Sequence, residues 1–200
     1  GIYVQQCPTN IFGGAMTIEG WFNFYGSGRD VLIGDYAIQA LTRGRIFEKN
    51  DATYSVRFYN TDAPDFSTTN SAVRSNNWHH IAWVRDPSTS PTSHYIYVDG
   101  SLSKTSAAAS AQYTAYAFCI GRDGRETAGV PFHGYASEIR IWNLAKSAVD
   151  IVAAMSNRAT GAEAGLVACY PLNEAPAKLA DIGAAQMTPI HDASYVGGFL

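Results

Sequence analysis

The sequence predicts an all-β protein: an antiparallel β-sandwich with one short helix near its C-terminal third. Short runs of β-branched and aromatic residues recur along the 200 residues, and each run is closed by Gly, Asn, Asp, Ser or Pro. Several runs alternate apolar and polar residues with period two, as half-buried strands do. The runs are too many for one open sheet, so we expect two packed sheets.

The predicted elements follow one another closely along the chain. A helix is expected over residues 144–155, where apolar residues recur at three- and four-residue spacing and Ser147 with Asp150 resembles a capping box. An Asp99-Gly100 pair predicts a type I′ hairpin turn, because both central residues need positive φ. Strands are predicted at 15–25, 31–33, 36–42, 45–48, 54–59, 79–85, 95–98, 102–107, 117–120, 132–142 and 166–171.

Composition indicates a folded domain with a large core. Hydrophobic residues make up 46% of the chain and charged residues 16%, and the aromatics comprise 12 Tyr, 9 Phe and 4 Trp. A β-sandwich routinely reaches this size as one domain, so we interpret residues 1–200 as a single domain.

Charge and cysteine content exclude several classes of protein. The net charge of -3 gives no basic surface for nucleic acid, and no apolar stretch reaches the length of a membrane span. The three cysteines, Cys7, Cys119 and Cys169, are too few for a disulfide scaffold. We expect free buried thiols, with a bridge between Cys7 and Cys169 as the alternative.

The period-two pattern assigns residues to strand faces. Ile18, Phe22 and Phe24 share an apolar face with Gly20, and we expect the opposite face, with Glu19, to be exposed. The second face at Tyr95 and Tyr97 predicts an exposed aromatic surface. The sequence also predicts that three tryptophans are core residues with hydrogen-bonded indoles and that two histidines are structural; these are Trp78, Trp83, Trp142, His79 and His80.

Several segments, in order, resemble the laminin-G-like and pentraxin-like domains of the concanavalin A-like lectin/glucanase superfamily. They are TIEGWF at 17–22, WHHIAWVRD at 78–86 with YIYVDG at 95–100, IGRDG at 120–124, and FHGYASEIRIWNL at 132–144. The resemblance implies the jelly-roll fold and favours a secreted or cell-surface location. It leaves function open, because this fold hosts lectins, adhesion modules and enzymes.

The resemblance places two charged loops where pentraxin-like proteins hold calcium. The first carries Arg29 and Asp30, and the second carries Asp123, Arg125 and Glu126. Asp30, Asp123 and Glu126 would supply oxygen ligands to calcium, but the interspersed arginines oppose a divalent cation. We therefore expect no required cofactor and retain calcium as an alternative.

The same loops suit a glycan. Carboxylates accept hydrogen bonds from sugar hydroxyls, an Arg side chain donates as a planar fork, and Tyr36 or Tyr25 offers an apolar platform. The alternative is an ordinary solvated turn. A second acidic cluster at Asp51, Asp62 and Asp65 could hold a cation or a sugar, but its irregular spacing favours solvated turn residues. The predicted glycan-binding residues are Arg29, Asp30, Tyr36, Asp123, Arg125, Glu126 and His133.

Catalysis has little support in the sequence. Glu19 and Glu138 are the strand carboxylates that a glycosidase would need, but they stand alone, and no Gly-x-Ser-x-Gly nucleophile motif occurs. We predict a lectin-like module that binds glycans or glycoconjugates at the rim of the sandwich. The alternative is an adhesion module that forms a homo-oligomer through a sheet face, and a glycoside hydrolase ranks third.

Overall fold

A computed structural model describes residues 2–5, 14–25, 28–36, 46–49, 53–59, 66–107, 117–121, 132–172 and 188–189. Its helix is α1 (Ala148–Ser156). Its strands are β1 (Ile2–Gln5), β2 (Met16–Phe24), β3 (Asp30–Tyr36), β4 (Ile46–Lys49), β5 (Val56–Tyr59), β6 (Phe66–Ser67), β7 (Trp78–Asp86), β8 (Ser93–Val98), β9 (Ser101–Ala107), β10 (Ala117–Ile120), β11 (Gly134–Trp142), β12 (Leu166–Tyr170) and β13 (Thr188–Pro189).

Two antiparallel sheets confirm the predicted sandwich. The first has the order β13-β1-β10-β3-β4-β5-β6, and the second has the order β12-β11-β2-β7-β8-β9. Their inner faces share one hydrophobic core, in which Phe58 of the first sheet stacks on Trp83 of the second with ring centroids 4.0 Å apart. The Asp99-Gly100 turn has positive φ at both residues, as predicted.

Most strands lie within a few residues of their predicted positions. The strands β1, β6 and β13 were not predicted, and two of them have only two residues. The expected break before Tyr36 is wrong, because β3 runs unbroken from Asp30 to Tyr36. Residues 37–42 of that prediction lie outside the described residues.

The helix is shorter than predicted because its cap lies further along the chain. The Ser147 hydroxyl accepts a hydrogen bond from the Asp150 N–H, and the Asp150 carboxylate accepts one from the Ser147 N–H, so α1 begins at Ala148. Residues 144–147 are not helical and follow the sheet surface instead. There the Thr17 hydroxyl donates to the Leu144 carbonyl (2.8 Å) and accepts from the Lys146 N–H (3.0 Å).

A buried polar network covers the face of β2 that was expected to be exposed. Glu19 is almost fully buried, and its carboxylate accepts hydrogen bonds from Trp142 Nε1 (2.8 Å) and Lys146 Nζ (2.7 Å). The Nε2 atom of His80 lies 3.6 Å from the same carboxylate. The prediction of a half-buried strand is therefore wrong, since this network fastens the segment leading into α1 onto the sheet.

Helix α1 also covers the predicted aromatic surface. Ile151 of α1 is fully buried and packs in one cluster with Ala82, Val84 and Tyr97, against which Tyr95 is partly buried. The expectation of an exposed tyrosine face at Tyr95 and Tyr97 is wrong, because the helix occupies that half of the sheet.

The buried network predicts a specific loss of stability in acid. Burial, followed by the charges of Arg140 and Lys146, lowers the pKa of His80 to about 4, whereas an unfolded histidine titrates near 6.5. Below about pH 6.5 the unfolded chain therefore binds a proton that the folded protein rejects. We expect this to cost up to about 1.4 kcal/mol of unfolding free energy per pH unit until the pH reaches the folded pKa.

Urea unfolding of the wild type and His80→Gln between about pH 7 and about pH 5 measures this term. The variant should show a shallower dependence of unfolding free energy on pH, whatever its stability at neutral pH. Equal slopes for the two proteins would contradict the assignment.

Candidate functional site

A buried ion pair lies where β3 begins and β4 ends. Asp30 and Lys49 are partners in the register of these strands, both side chains are fully buried, and Asp30 Oδ2 lies 3.1 Å from Lys49 Nζ. The ammonium also donates to the Gly28 carbonyl and lies 5.5 Å from the centre of the Phe24 ring and 5.2 Å from that of Tyr54. Because an unpaired buried charge is costly, the pair fixes these segments together.

His133 connects this buried pair to the surface. The Asp30 Oδ1 atom accepts hydrogen bonds from the His133 backbone N–H (2.8 Å) and from Nδ1–H of its ring (3.1 Å). The His133 side chain is nevertheless 59% exposed. Since Nδ1 is engaged by the carboxylate, Nε2 is the ring nitrogen that this contact leaves for another hydrogen bond.

The two described residues that flank the second predicted loop, Gly121 and Phe132, lie beside β3. The Gly121 N–H donates to the Leu32 carbonyl (2.8 Å), and the Phe132 N–H donates to the Gly121 carbonyl (2.8 Å). Gly121 and Phe132, the described residues on either side of 122–131, are therefore joined beside β3. Asp123, Arg125 and Glu126 themselves lie outside the described residues.

The other residues predicted to bind a glycan do not all lie at one place. Asp30 is internal, so its carboxylate does not face solvent, and the neighbouring Arg29 is partly buried. Tyr36 lies at the opposite end of β3, which at the usual rise of a strand is about 20 Å from Asp30. The structure thus brings together Arg29, Asp30 and His133 and leaves Tyr36 apart. The second acidic cluster, Asp51, Asp62 and Asp65, lies outside the described residues.

An aromatic patch of Tyr25, Trp78 and Tyr135 lies beside His133 on the outer face of the second sheet. Tyr25 is 42% exposed and Trp78 is 46% exposed. The ring of Tyr135 is 5.1 Å from Tyr25, edge to face, and 6.4 Å from Trp78, nearly parallel. The patch is connected to His133 through the backbone, because the Tyr25 N–H donates to the His133 carbonyl (2.8 Å).

Polar groups accompany the aromatic patch. Asn23 pairs with Tyr135 on one side and Trp78 on the other, so it lies between the two rings. Its Oδ1 atom is shielded from solvent and accepts no hydrogen bond within the part of the chain that the structure describes. Loss of solvation and the hydrogen bond with Tyr135 raise the pKa of Tyr25 to about 12, so its hydroxyl remains protonated at neutral pH.

Sequence reasoning misplaced Trp78 and overlooked Tyr135. Trp78 is exposed rather than in the core, whereas Trp83 and Trp142 are buried as predicted. The Trp142 indole is hydrogen-bonded to Glu19, but the Trp83 Nε1 has no partner among the described residues. The sequence contained a signal for the exposure of Trp78. Trp78 and Trp83 are separated by an odd number of positions, which places them on opposite faces of β7.

The strand carboxylates and the predicted structural histidine are engaged within the protein. Glu138 accepts from Arg140 (2.9 Å), and Glu19 is held in the buried network beneath α1. His79 donates from Nδ1 to Asp99 (2.8 Å) and accepts at Nε2 from the Arg74 N–H (2.9 Å). In the described ranges no three His, Cys, Asp or Glu side chains converge as a metal site.

Two further observations concern reactivity and membranes. Cys169 is a free, buried cysteine, and burial raises the pKa of its thiol to about 11, so it is protonated at neutral pH. The described residues contain no helix that is long and apolar enough to cross a membrane.

Known structures share this architecture. A proposed carbohydrate-binding protein from Bacteroides ovatus superposes with a TM-score of 0.67 at 22% identity, covering 85% of this chain and 49% of that one. The chain thus spans about half the length of that protein. The CBM40 module of a Ruminococcus gnavus IT-sialidase, bound to α2,3-sialyllactose, superposes with a TM-score of 0.61 at 14% identity, covering 72% of this chain and 84% of that one.

A heptameric SAP-like pentraxin from Limulus polyphemus superposes with a TM-score of 0.56 at 13% identity, covering 76% of this chain and 70% of the pentraxin. No curated protein sequence matches the chain. The family model for laminin-G domains of the concanavalin A-like lectin/glucanase superfamily matches residues 2–152. With its two antiparallel sheets and this match over most of its length, the chain belongs to the concanavalin A-like lectin/glucanase superfamily.

Proposed function

We propose that this domain is a carbohydrate-binding module without catalytic activity of its own, and that it binds glycans or glycoconjugates where the aromatic patch meets the rim at His133. The observation that carries the proposal is the exposure of Tyr25 and Trp78, with Tyr135 in contact with both rings, on the outer face of the second sheet. Large exposed aromatic clusters rimmed by polar groups mark binding sites in soluble proteins.

The chemistry of the patch suits a sugar. One face of a pyranose ring presents C–H groups, which pack on an aromatic ring, while the hydroxyls at its edge need hydrogen-bonding partners. Here Tyr25, Tyr135 and Trp78 offer ring surface, and Nε2 of the exposed His133 side chain offers an acceptor beside it.

The two charged loops complete the proposed site. Arg29 is next to Asp30 in the sequence, and Asp123, Arg125 and Glu126 lie between Gly121 and Phe132, two residues that are hydrogen-bonded to each other beside β3. We propose that these side chains select among sugars, because a guanidinium recognises a carboxylate or sulfate through two parallel hydrogen bonds. Asp30 contributes indirectly in this arrangement, by holding His133.

Two structural relatives support glycan binding. One is described as carbohydrate-binding and another holds sialyllactose, so the same fold carries glycan sites in other proteins. A module of this kind binds weakly at one site and gains avidity from several copies, which is a reason to expect a homo-oligomer or a tandem arrangement.

Adhesion to a protein is the second candidate function. Tyrosine and tryptophan are enriched in protein interfaces, so the aromatic patch itself favours this alternative. It replaces the earlier expectation of an interface at Tyr95 and Tyr97, which α1 covers. Patch variants that lose association with a protein, in a domain that binds no glycan, would distinguish this alternative from glycan binding.

Alanine variants test whether the aromatic patch binds the glycan. Trp78→Ala and Tyr135→Ala should each weaken glycan binding about tenfold or more, equivalent to about 1.4 kcal/mol, because each removes a ring on which the sugar packs. Isothermal titration with the best glycan from an array measures the effect. Leu102→Ala, which removes an exposed apolar side chain of β9, is the matched control and should bind like the wild type. Unchanged affinity in both patch variants would exclude the patch.

A double alanine variant tests the loop that carries Asp123 and Arg125. Asp123→Ala combined with Arg125→Ala should abolish glycan binding and leave Tm nearly unchanged, because both residues are expected to meet the ligand rather than the core. A glycan array and a thermal melt measure the two effects. If binding survives, the polar contacts lie elsewhere, and the region around Asp51, Asp62 and Asp65 becomes the next target.

A further inference from the structure

The buried ammonium of Lys49 is paired with Asp30, the residue that the pentraxin-like resemblance places among calcium ligands. That resemblance implies calcium with Asp30 among its ligands, and calcium requires six to eight oxygen ligands. In this structure both oxygens of Asp30 are already engaged: Oδ2 faces Lys49 Nζ at 3.1 Å, and Oδ1 accepts from the backbone and ring of His133. Asp30 therefore does not fit the role of a calcium ligand.

The surroundings of Lys49 Nζ suit an ammonium ion better than calcium. The ammonium donates a hydrogen bond to the Gly28 carbonyl and forms an ion pair with the Asp30 carboxylate. The rings of Phe24 and Tyr54 flank it at 5.5 Å and 5.2 Å, distances that favour a cation–π interaction. These rings supply no oxygen ligands, and a divalent ion placed here would be repelled by the lysine charge.

We propose that Lys49 supplies, from within the chain, the positive charge that calcium would otherwise supply at this rim, so that the site is assembled and binds its ligand without metal. The second clause rests on the proposed glycan-binding function; the first does not. Asp30 then acts as a positioning residue, which holds His133 with Nε2 directed to the ligand.

A calcium titration of the wild type tests the proposal directly. Tm should be the same in calcium chloride and in a chelator, and the glycan affinity should be equally insensitive. Because a ligand that binds only the folded state raises Tm, a functional ion would be detected without any glycan. A rise of Tm with calcium that Asp30→Asn removes, or calcium-dependent glycan binding by any route, would overturn the proposal.

A pair of variants tests the internal charge itself. Lys49→Met leaves the Asp30 carboxylate buried without its counter-charge and should lower Tm markedly. Adding Asp30→Asn replaces the charge with a neutral amide and should restore much of that loss. Lys104→Met, at an exposed lysine of β9, is the matched control and should not change Tm.

If Lys49→Met fails to fold, the double variant and the wild-type titration still decide the question. A double variant that is no more stable than Lys49→Met would overturn the assignment. In that case removing the Asp30 charge would not compensate for the loss of the Lys49 charge. These melts need no glycan, so a blank glycan array would refute the proposed function and leave the assignment of Lys49 to be judged on Tm alone.

Discussion

The ion pair between Asp30 and Lys49 determines how the proposed site is built. A carboxylate and an ammonium withdrawn from water must face each other closely, and this requirement fixes the register in which β3 and β4 meet. The remaining oxygen of Asp30 then captures His133, whose carbonyl in turn accepts from Tyr25. One buried charge pair thereby positions an exposed imidazole and the nearest ring of the aromatic patch.

A second buried pair, Glu19 with Lys146, determines which surface is left for binding. It fastens the segment before α1 onto the sheet, and α1 then covers the half of the outer face that carries Tyr97. The half that carries Tyr25, Trp78 and Tyr135 lies further along the same strands, outside the helix-covered cluster. The aromatic patch thus owes its exposure to where the helix is anchored.

Local patterns predicted the fold well and the covered surfaces poorly. Period-two alternation located most strands, and the capping pair Ser147 and Asp150 and the turn at Asp99 have the predicted geometry. Alternation separates the two faces of a strand, but it does not say what packs on each, so Tyr97 was expected outside and Trp78 inside. The pairing of Asp30 with Lys49 depends on register between strands joined by a long connection, which the sequence does not display. Asp30 was therefore expected at the surface.

The unequal burial of the tryptophans gives the protein a built-in optical probe. Trp83 and Trp142 are enclosed by the sandwich and its helix, Trp21 is half-buried, and Trp78 is the most exposed of the four. Indole emission shifts to the blue and resists aqueous quenchers when solvent is removed. A molecule settling on the patch would change the signal of Trp78 against a steadier background from the enclosed indoles, so occupancy of this surface can be followed without attaching a label.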